Sequence, residues 1–327
     1  MLRKRHWRLT LSLILAAAVG MTIHSASAQQ YPEREVRVIV PFSAGGGTDL
    51  VTRIFAQALG DKLGRRFFIE NVAAGAGGSV GSRQLSEAEA NGYTIGTGTS
   101  SGIVNLAMDQ SGFNPLTELE PIARYGATTL VLAADPKLPL NSFSEFVAYA
   151  KQNPDLAYGS SGVGSTTHLA FEMLASAIGV RLTHVPYRGE GAGIVDLMSG
   201  QIQLMLLSLP AARQYVQSGA LKALAVTSVE RFPALPNVPT LVESGLKDFV
   251  VDAWYGLYVP KGTPATVTEL LVKSVNDIRA DPDISKRLLD KLSFDTSGSD
   301  DPAAFKAYME KELERYSAAA KTTTAQK

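Results

Sequence analysis

Cysteine is missing from all 327 residues. That excludes disulfides, thiolate metal sites and a lipid anchor on an N-terminal cysteine. Histidine is scarce too: His6 and His24 lie near the start, which leaves only His168 and His184 for the body of the chain. With so few imidazoles and no clustered carboxylates, a metal site lacks ligands. Acidic residues are absent from the first 28 positions, and there is a single long apolar run, Leu9–Ile23. Arg3, Lys4, Arg5 and Arg8 lead into that run and Ala26-Ser27-Ala28 follows it, the three parts of a secretion signal cleaved after Ala28. As a membrane span the run is short and is interrupted by Thr10, Ser12 and Gly20. The expectation is a soluble protein exported to the periplasm. The leader takes four of the 31 Lys+Arg and no acids, so the remainder carries 27 against 31, a net charge of −4. That balance argues against nucleic acid or an anionic membrane as partner. A mature chain of about 300 residues exceeds what one core usually serves, so two lobes are expected.

What is present is organised around Val36–Asp49, V-R-V-I-V-P-F-S-A-G-G-G-T-D. Val36, Val38 and Val40 alternate with Arg37 and Ile39 and read as a strand entering a core. Pro41 ends the ladder, and Gly45, Gly46 and Gly47 open backbone angles closed to other residues. Thr48 or Asp49 can cap a helix whose Leu50, Ile54, Phe55 and Ala58 share one face. Strand, glycine loop and helix N-terminus together aim unpaired N–H groups at one point, a setting that favours an anion.

The pattern recurs. Arg66–Glu70 is a second short strand, followed by a glycine-rich turn and a helix over Ser79–Glu89. Tyr93–Thr97 is a third strand, with Gly98–Gly102 as a third glycine loop. Three such units predict a parallel sheet with ligand loops at the carboxyl edge of its strands. Ile122–Ala134 is long for a strand and suits a link between lobes. Strand, Ser/Gly loop and helix return at Leu156–Gly159, S-S-G-V-G-S-T-T-H and Thr166–Ile178. Leu182–Pro186 leads through Y-R-G-E-G-A-G to a helix over Ile194–Ser199 closed by Gly200. Ile202–Leu207 and Leu221–Thr227 are strands on either side of a helix, and Ala253–Pro260 is a return crossing. Pro264 and Pro302 are placed to start helices, and the tail Lys321–Lys327 looks frayed.

Two rival motifs compete with this reading. A dinucleotide fold needs a third glycine, and Gly45-x-Gly47-x-x-Leu50 lacks it. Gly98-x-Ser100-x-Gly102 matches a nucleophile elbow, which makes an exported serine hydrolase using Ser100 an alternative. Gly77-x-Ser79-x-Gly81 matches it equally, and no base and orienter can be named beside Ser100. The favoured residues also have structural readings. The glycines can simply turn the chain, Asp49 and Ser160, Ser161 and Ser165 can simply cap helices, and Tyr187, Arg188 and Trp254 can simply pack.

Taken together, several stretches resemble a known family. They are P-F-S-A-G-G-G-T-D, E-N-V-A-A-G-A-G-G-S-V-G-S, N-G-Y-T at Asn91–Thr94, Y-G-S-S-G-V-G-S-T-T-H-L-A, H-V-P-Y-R-G, L-A-V-T-S with Arg231, and P-x-V-P-T at Pro236–Thr240. The chain resembles, over its whole mature length, the Bug receptors, periplasmic solute-binding proteins of tripartite tricarboxylate transporters. The resemblance implies an α/β, two-lobed type II periplasmic-binding-protein (Venus flytrap) fold, each lobe a central sheet flanked by helices. Lobe 1 would comprise residues 29–126 plus 253–327 and lobe 2 residues 127–252. It implies a monomer that performs no catalysis and needs no cofactor or metal. It closes on a small carboxylate ligand and hands it to the integral-membrane permease subunits, or as an alternative to a membrane-bound sensor kinase. Carried onto this sequence, the first-lobe contacts are Phe42, Ser43, Ala44, Gly47, Thr48 and Asp49, with Thr99 and Ser100. The second lobe offers Ser160, Ser161, Gly164, Ser165, Thr166 and His168, with Tyr187 and Gly189. One departure stands out. Where the family carries an aromatic, an Asp and a small polar residue, this chain has Leu206-Leu207-Ser208. Loss of that acid speaks against an ammonium group on the ligand and for a less polar one. Whether the ligand is dicarboxylic, tricarboxylic, aromatic or an amide is left open by the sequence.

Overall fold

The structure, a computed structural model, describes residues 31–296 and 301–324. The secretion signal and its cleavage point after Ala28 lie outside the described residues, as do the last three residues of the tail.

β1 (Val36–Val40) buries both faces, since Val36, Val38, Ile39 and Val40 are all inaccessible to solvent. Such a strand belongs inside a parallel sheet. It pairs in parallel with β2 (Phe67–Asn71) on one side and β3 (Thr94–Thr99) on the other. Between β1 and β2 runs α1 (Gly47–Leu63). This helix starts earlier than expected. Its N-cap is Gly46, with no side-chain cap, so Thr48 and Asp49 lie inside the first turn. Its buried face is Val51, Phe55, Ala58 and Leu59, while Leu50 and Ile54 are only half-buried, one position off the expected stripe. Phe55 stacks on Tyr125 at 4.1 Å, and side chains buried this fully contribute on the order of 1.5–3 kcal/mol each.

α2 (Ser79–Ser86) follows β2, and α3 (Ser100–Ala107) follows β3 directly. The expected third glycine loop is therefore absent: Gly98 is in the strand and Gly102 in the helix. Gly98 is there for packing, because a Cβ would lie 2.7 Å from Cδ2 of the Tyr258 ring. Beyond a short helix, α4 (Pro115–Glu118), comes the long strand β4 (Leu119–Ala134).

β4 divides the sheet. From Leu119 to Thr129 it pairs antiparallel with β9 (Asp252–Pro260), which in turn pairs with β3. From Leu130 to Ala134 it pairs instead with β7 (Leu204–Ser208) and β8 (Lys222–Val226). The second half is completed by β5 (Ala157–Ser160) and β6 (Thr183–Pro186), parallel to each other and to β7. Its helices are α5 (Phe143–Gln152), α6 (Thr166–Ile178), α7 (Glu190–Ser199) and α8 (Leu209–Gln217). α7 begins four residues before the expected Ile194, so half of the Y-R-G-E-G-A-G stretch is helix. Three helices close the chain: α9 (Ala265–Ala280), α10 (Pro282–Leu292) and α11 (Pro302–Thr324), the last running through residues expected to fray.

Each half has its own core. One gathers Ile39, Leu85, Val104, Trp254, Tyr258 and Phe305, and the other Val131, Ile194, Leu197, Met205, Leu207 and Leu221. At the dividing point Thr227 acts as a clip. Its Oγ1 accepts from the Leu130 N–H at 3.0 Å and its own N–H donates to the Leu130 carbonyl at 3.0 Å.

Candidate ligand cleft

Three helices begin where the two halves meet. Gly46 and Gly47 start α1, Thr99 caps α3 by accepting from the Ser101 N–H at 3.2 Å, and Ser165 caps α6 by accepting from the His168 N–H at 3.2 Å. Their ends face a shared cavity of about 30 Å³, room for a water or two. Of the residues anticipated from sequence, Phe42, Thr48, Thr99, Ser100, Ser161 and Thr166 line it. Its wall also includes Gly46, Ser101, Leu130, Thr167, Glu190, Ala253 and Tyr255, none of them anticipated. The remaining anticipated residues lie elsewhere, in two groups.

The first group sits where the halves touch. The Ser43 N–H donates to the Arg188 carbonyl at 2.9 Å, and Ser43 Oγ accepts from the Ala192 N–H at 3.3 Å. Gly189 holds φ +135°, an angle that favours glycine, with Phe42 and Ser43 packed against it. Gly164 abuts Asn105, and Ala44 is exposed at the rim with its carbonyl oxygen against Gly191. Deeper in, the Thr166 N–H donates to Ser101 Oγ at 3.1 Å and Thr166 Oγ1 donates to Ser100 Oγ at 2.8 Å.

The second group is internal support. Asp49 accepts from the Gly45 N–H at 3.0 Å and the Asn71 amide at 3.0 Å, and it pairs with Arg53 at 2.8 Å. Its carboxylate therefore fixes the glycine loop to its own helix and to β2. Ser160 Oγ bonds His184 Nε2 at 2.7 Å, and His184 stacks on His168 at 4.1 Å. His168 Nδ1 accepts from the Gly164 N–H at 3.3 Å. The Tyr187 hydroxyl donates to Asp196 at 2.7 Å, away from the cavity; burial and that carboxylate together push its pKa up. Among the described residues no group of three or more His, Asp or Glu stands close enough to hold a metal ion.

Glu190 is the charged member of the cavity wall and is only 8 % exposed. It starts α7 in the second half of the sheet, yet its carboxylate accepts from the Gly47 N–H at 2.9 Å, at the N-terminus of α1 in the first half. It also accepts from the Ser208 N–H at 2.5 Å and Ser208 Oγ at 2.6 Å. Burial pushes its pKa up, against the pull of those three donors. Beside it the buried Tyr255 hydroxyl bonds Ser208 and Thr48. An acid absent from Leu206-Leu207-Ser208 in sequence thus stands beside Ser208 in space, contributed by α7. The sequence signal that could have found it was a lone acid between two glycines, Gly189-Glu190-Gly191.

Residues 51–322 match the tripartite tricarboxylate transporter family receptor. The chain belongs to that family. BugT of Bordetella pertussis is 35% identical over 273 residues, covering 80% of this chain and 83% of BugT. The solved periplasmic binding protein BugD superposes with a TM-score of 0.86 at 35% identity, over 90% of this chain and 99% of BugD. The R. palustris protein Rpa4515, solved with adipate, gives a TM-score of 0.84 at 31% identity, over 90% of this chain and 98% of its own. The two-lobed α/β fold of periplasmic binding proteins is therefore the fold of this family member, a solute-binding receptor.

Proposed function

We propose that the chain is exported to the periplasm and cleaved after Ala28. It binds a small carboxylate-containing solute in the cleft between lobe 1 (residues 29–126 plus 253–327) and lobe 2 (residues 127–252). It closes on that solute and delivers it to the integral-membrane subunits of a tripartite tricarboxylate transporter. The carrying observation is the convergence of three helix N-termini, α1, α3 and α6, on one hydroxyl-lined cavity at the line where the halves touch. Helix N-termini and hydroxyls hold carboxylates without a countercharge from the side chains. The adipate-bound R. palustris relative supports the same ligand class. The hinge is assigned to the residues where β4 changes partners, Thr129 and Leu130, and to the adjoining end of β9.

A thermal-shift screen of the mature protein against small carboxylates, amides and sugars tests this. A rise of several degrees with one or a few acids and none with neutral analogues is the expected result. Stabilisation by neutral compounds alone would overturn it. Ser100 donates no better to a base than its neighbours do: Thr166 occupies its flank and both described histidines are engaged elsewhere. A fluorophosphonate should accordingly leave Ser100 unlabelled.

A further inference from the structure

The cavity wall contains one acid and, among its residues, no lysine, arginine or histidine. Its donors are hydroxyls and the N–H groups of helix ends. Of the three converging helix N-termini, α1 already has an anion from its own chain, because Gly47 donates to Glu190. The termini of α3 and α6 come from opposite halves and meet in the cavity wall at Ser100, Ser101 and Thr166. The cavity wall thus combines helix ends and hydroxyls with one carboxylate and no cation.

We propose that Glu190 determines specificity and that it selects carboxylates which also bear a protonated amine. The inference rests on the receptor reading above and narrows its ligand class. A carboxylate offers about four acceptor positions, and three donors occupy three of them at Glu190: the Gly47 N–H, the Ser208 N–H and Ser208 Oγ. One acceptor position remains for a ligand donor. A solute with a carboxylate at the α3 and α6 ends and an ammonium at Glu190 keeps the charge of the cleft at −1. A dicarboxylate would raise it to −3 with no cation in the wall. Burial disfavours the ionised form of Glu190 and pushes its pKa up, whereas an ammonium partner favours that form. The other titratable group facing Glu190 is Tyr255, which is buried and stays protonated.

The test is calorimetric titration of protein purified from the periplasm with matched acids: L-glutamate against glutarate, and 4-aminobutyrate against butyrate. The expected result is at least tenfold tighter binding of the amine-bearing member in whichever pair binds. Glu190→Gln should shrink that ratio by about tenfold or more. Equal or tighter binding of glutarate or butyrate by the wild type would overturn the role of Glu190 and leave the receptor reading intact. The wild-type ratio decides this even where the variant fails to fold. Binding of no acid in either pair, with stabilisation only by neutral compounds, would instead overturn the receptor reading, and the inference with it.

Discussion

Gly191 offers a way to block closure without harming either lobe. It is the second residue of α7, with ordinary helical backbone angles, so alanine there is conformationally welcome and favours the helix by up to ~1 kcal/mol in a helix interior. In the structure, however, the helix lies against the rim of the other half. A Cβ on residue 191 would come inside 3.0 Å of the Ala44 carbonyl oxygen and within 3.1 Å of the Ala44 carbonyl carbon and the Gly46 nitrogen. These are backbone atoms and cannot swing aside as a flexible side chain could. Relief requires the two segments to part by on the order of 1 Å, since unstrained contacts lie near ~3.5 Å. Parting stretches the Ser43–Arg188 and Gly47–Glu190 hydrogen bonds, both 2.9 Å, out of range.

Overpacking of this kind costs about 1–3 kcal/mol, and each lost hydrogen bond about 0.5–1.5 kcal/mol net. A total of about 2–6 kcal/mol corresponds to a roughly 30- to 20,000-fold loss of affinity if binding requires the closed form. The assay is calorimetry on Gly191→Ala with the acid that gives the largest thermal shift, alongside the melting temperature of the ligand-free variant. The expected outcome is much weaker binding at an unchanged or slightly higher melting temperature. Affinity within about threefold of wild type would refute the reasoning, because it would mean that α7 and the residue 43–47 loop do not oppose each other in the ligand-bound state.

Other perturbations separate scaffold from cleft. Asp49→Ala removes the acceptor shared by Gly45, Asn71 and Arg53, and should lower unfolding stability in urea by about 1–3 kcal/mol; unchanged stability would show that the carboxylate does not hold the loop. Gly98→Ala drives a methyl group into the Tyr258 ring and should cost about 1–3 kcal/mol, read as a melting point several degrees lower. The raised pKa of Glu190 has a signed consequence for pH. The group favours the folded state below its unfolded pKa of ~4.3, and that advantage is lost as pH rises towards its folded value. The ligand-free melting temperature should thus fall more steeply above about pH 4.3 in the wild type than in Glu190→Gln. Asp252, whose pKa burial also raises, contributes with the same sign in both proteins, so superposable profiles would count against Glu190.

The opening strand and helix were legible because local chemistry decides them. β-branched alternation makes a strand wherever it is buried, and a run of glycines beside it must be a turn. β4 was legible for a related reason, since a strand of 16 residues is too long for one small sheet. What misled was glycine serving two purposes. At Gly45 it supplies φ +80°, a true loop angle, whereas at Gly98 it makes room for a ring from β9. Sequence alone does not separate these, because the ring arrives from 160 residues away (258 − 98). The site was half-legible in the same way. Hydroxyls at helix starts could be listed from motifs, but whether each faces the cavity depends on the partner it finds. Ser165 and Asp49 turned inward to caps and supports, and Ser101 and Thr166 turned towards each other across the cleft. Glu190 could not be placed at all, since its partners lie 18 and 143 residues away.

The chemistry of the contact surface bears on how a ligand can control closure. The hydrogen bonds joining the halves at the cleft include Ser43 to Arg188, Ala192 to Ser43, Gly47 to Glu190, Tyr255 to Ser208, and Thr166 to Ser100 and Ser101. On opening, each of these groups is returned to water, so each is worth only about 0.5–1.5 kcal/mol net. Together they amount to a few kcal/mol, offset by the ordering of the rim on closing. On the proposed reading, a contact surface rich in backbone and hydroxyl groups would therefore leave open and closed states close in free energy. Shifting such an equilibrium from 1:99 to 99:1 takes a difference in affinity of about 5.5 kcal/mol. A carboxylate held by two helix ends, with a charge-assisted bond from its amine to Glu190 as proposed, would reach that scale from a handful of contacts. A larger apolar interface between the lobes would hold the cleft shut without a ligand, and closure would then carry no information about whether the solute is present.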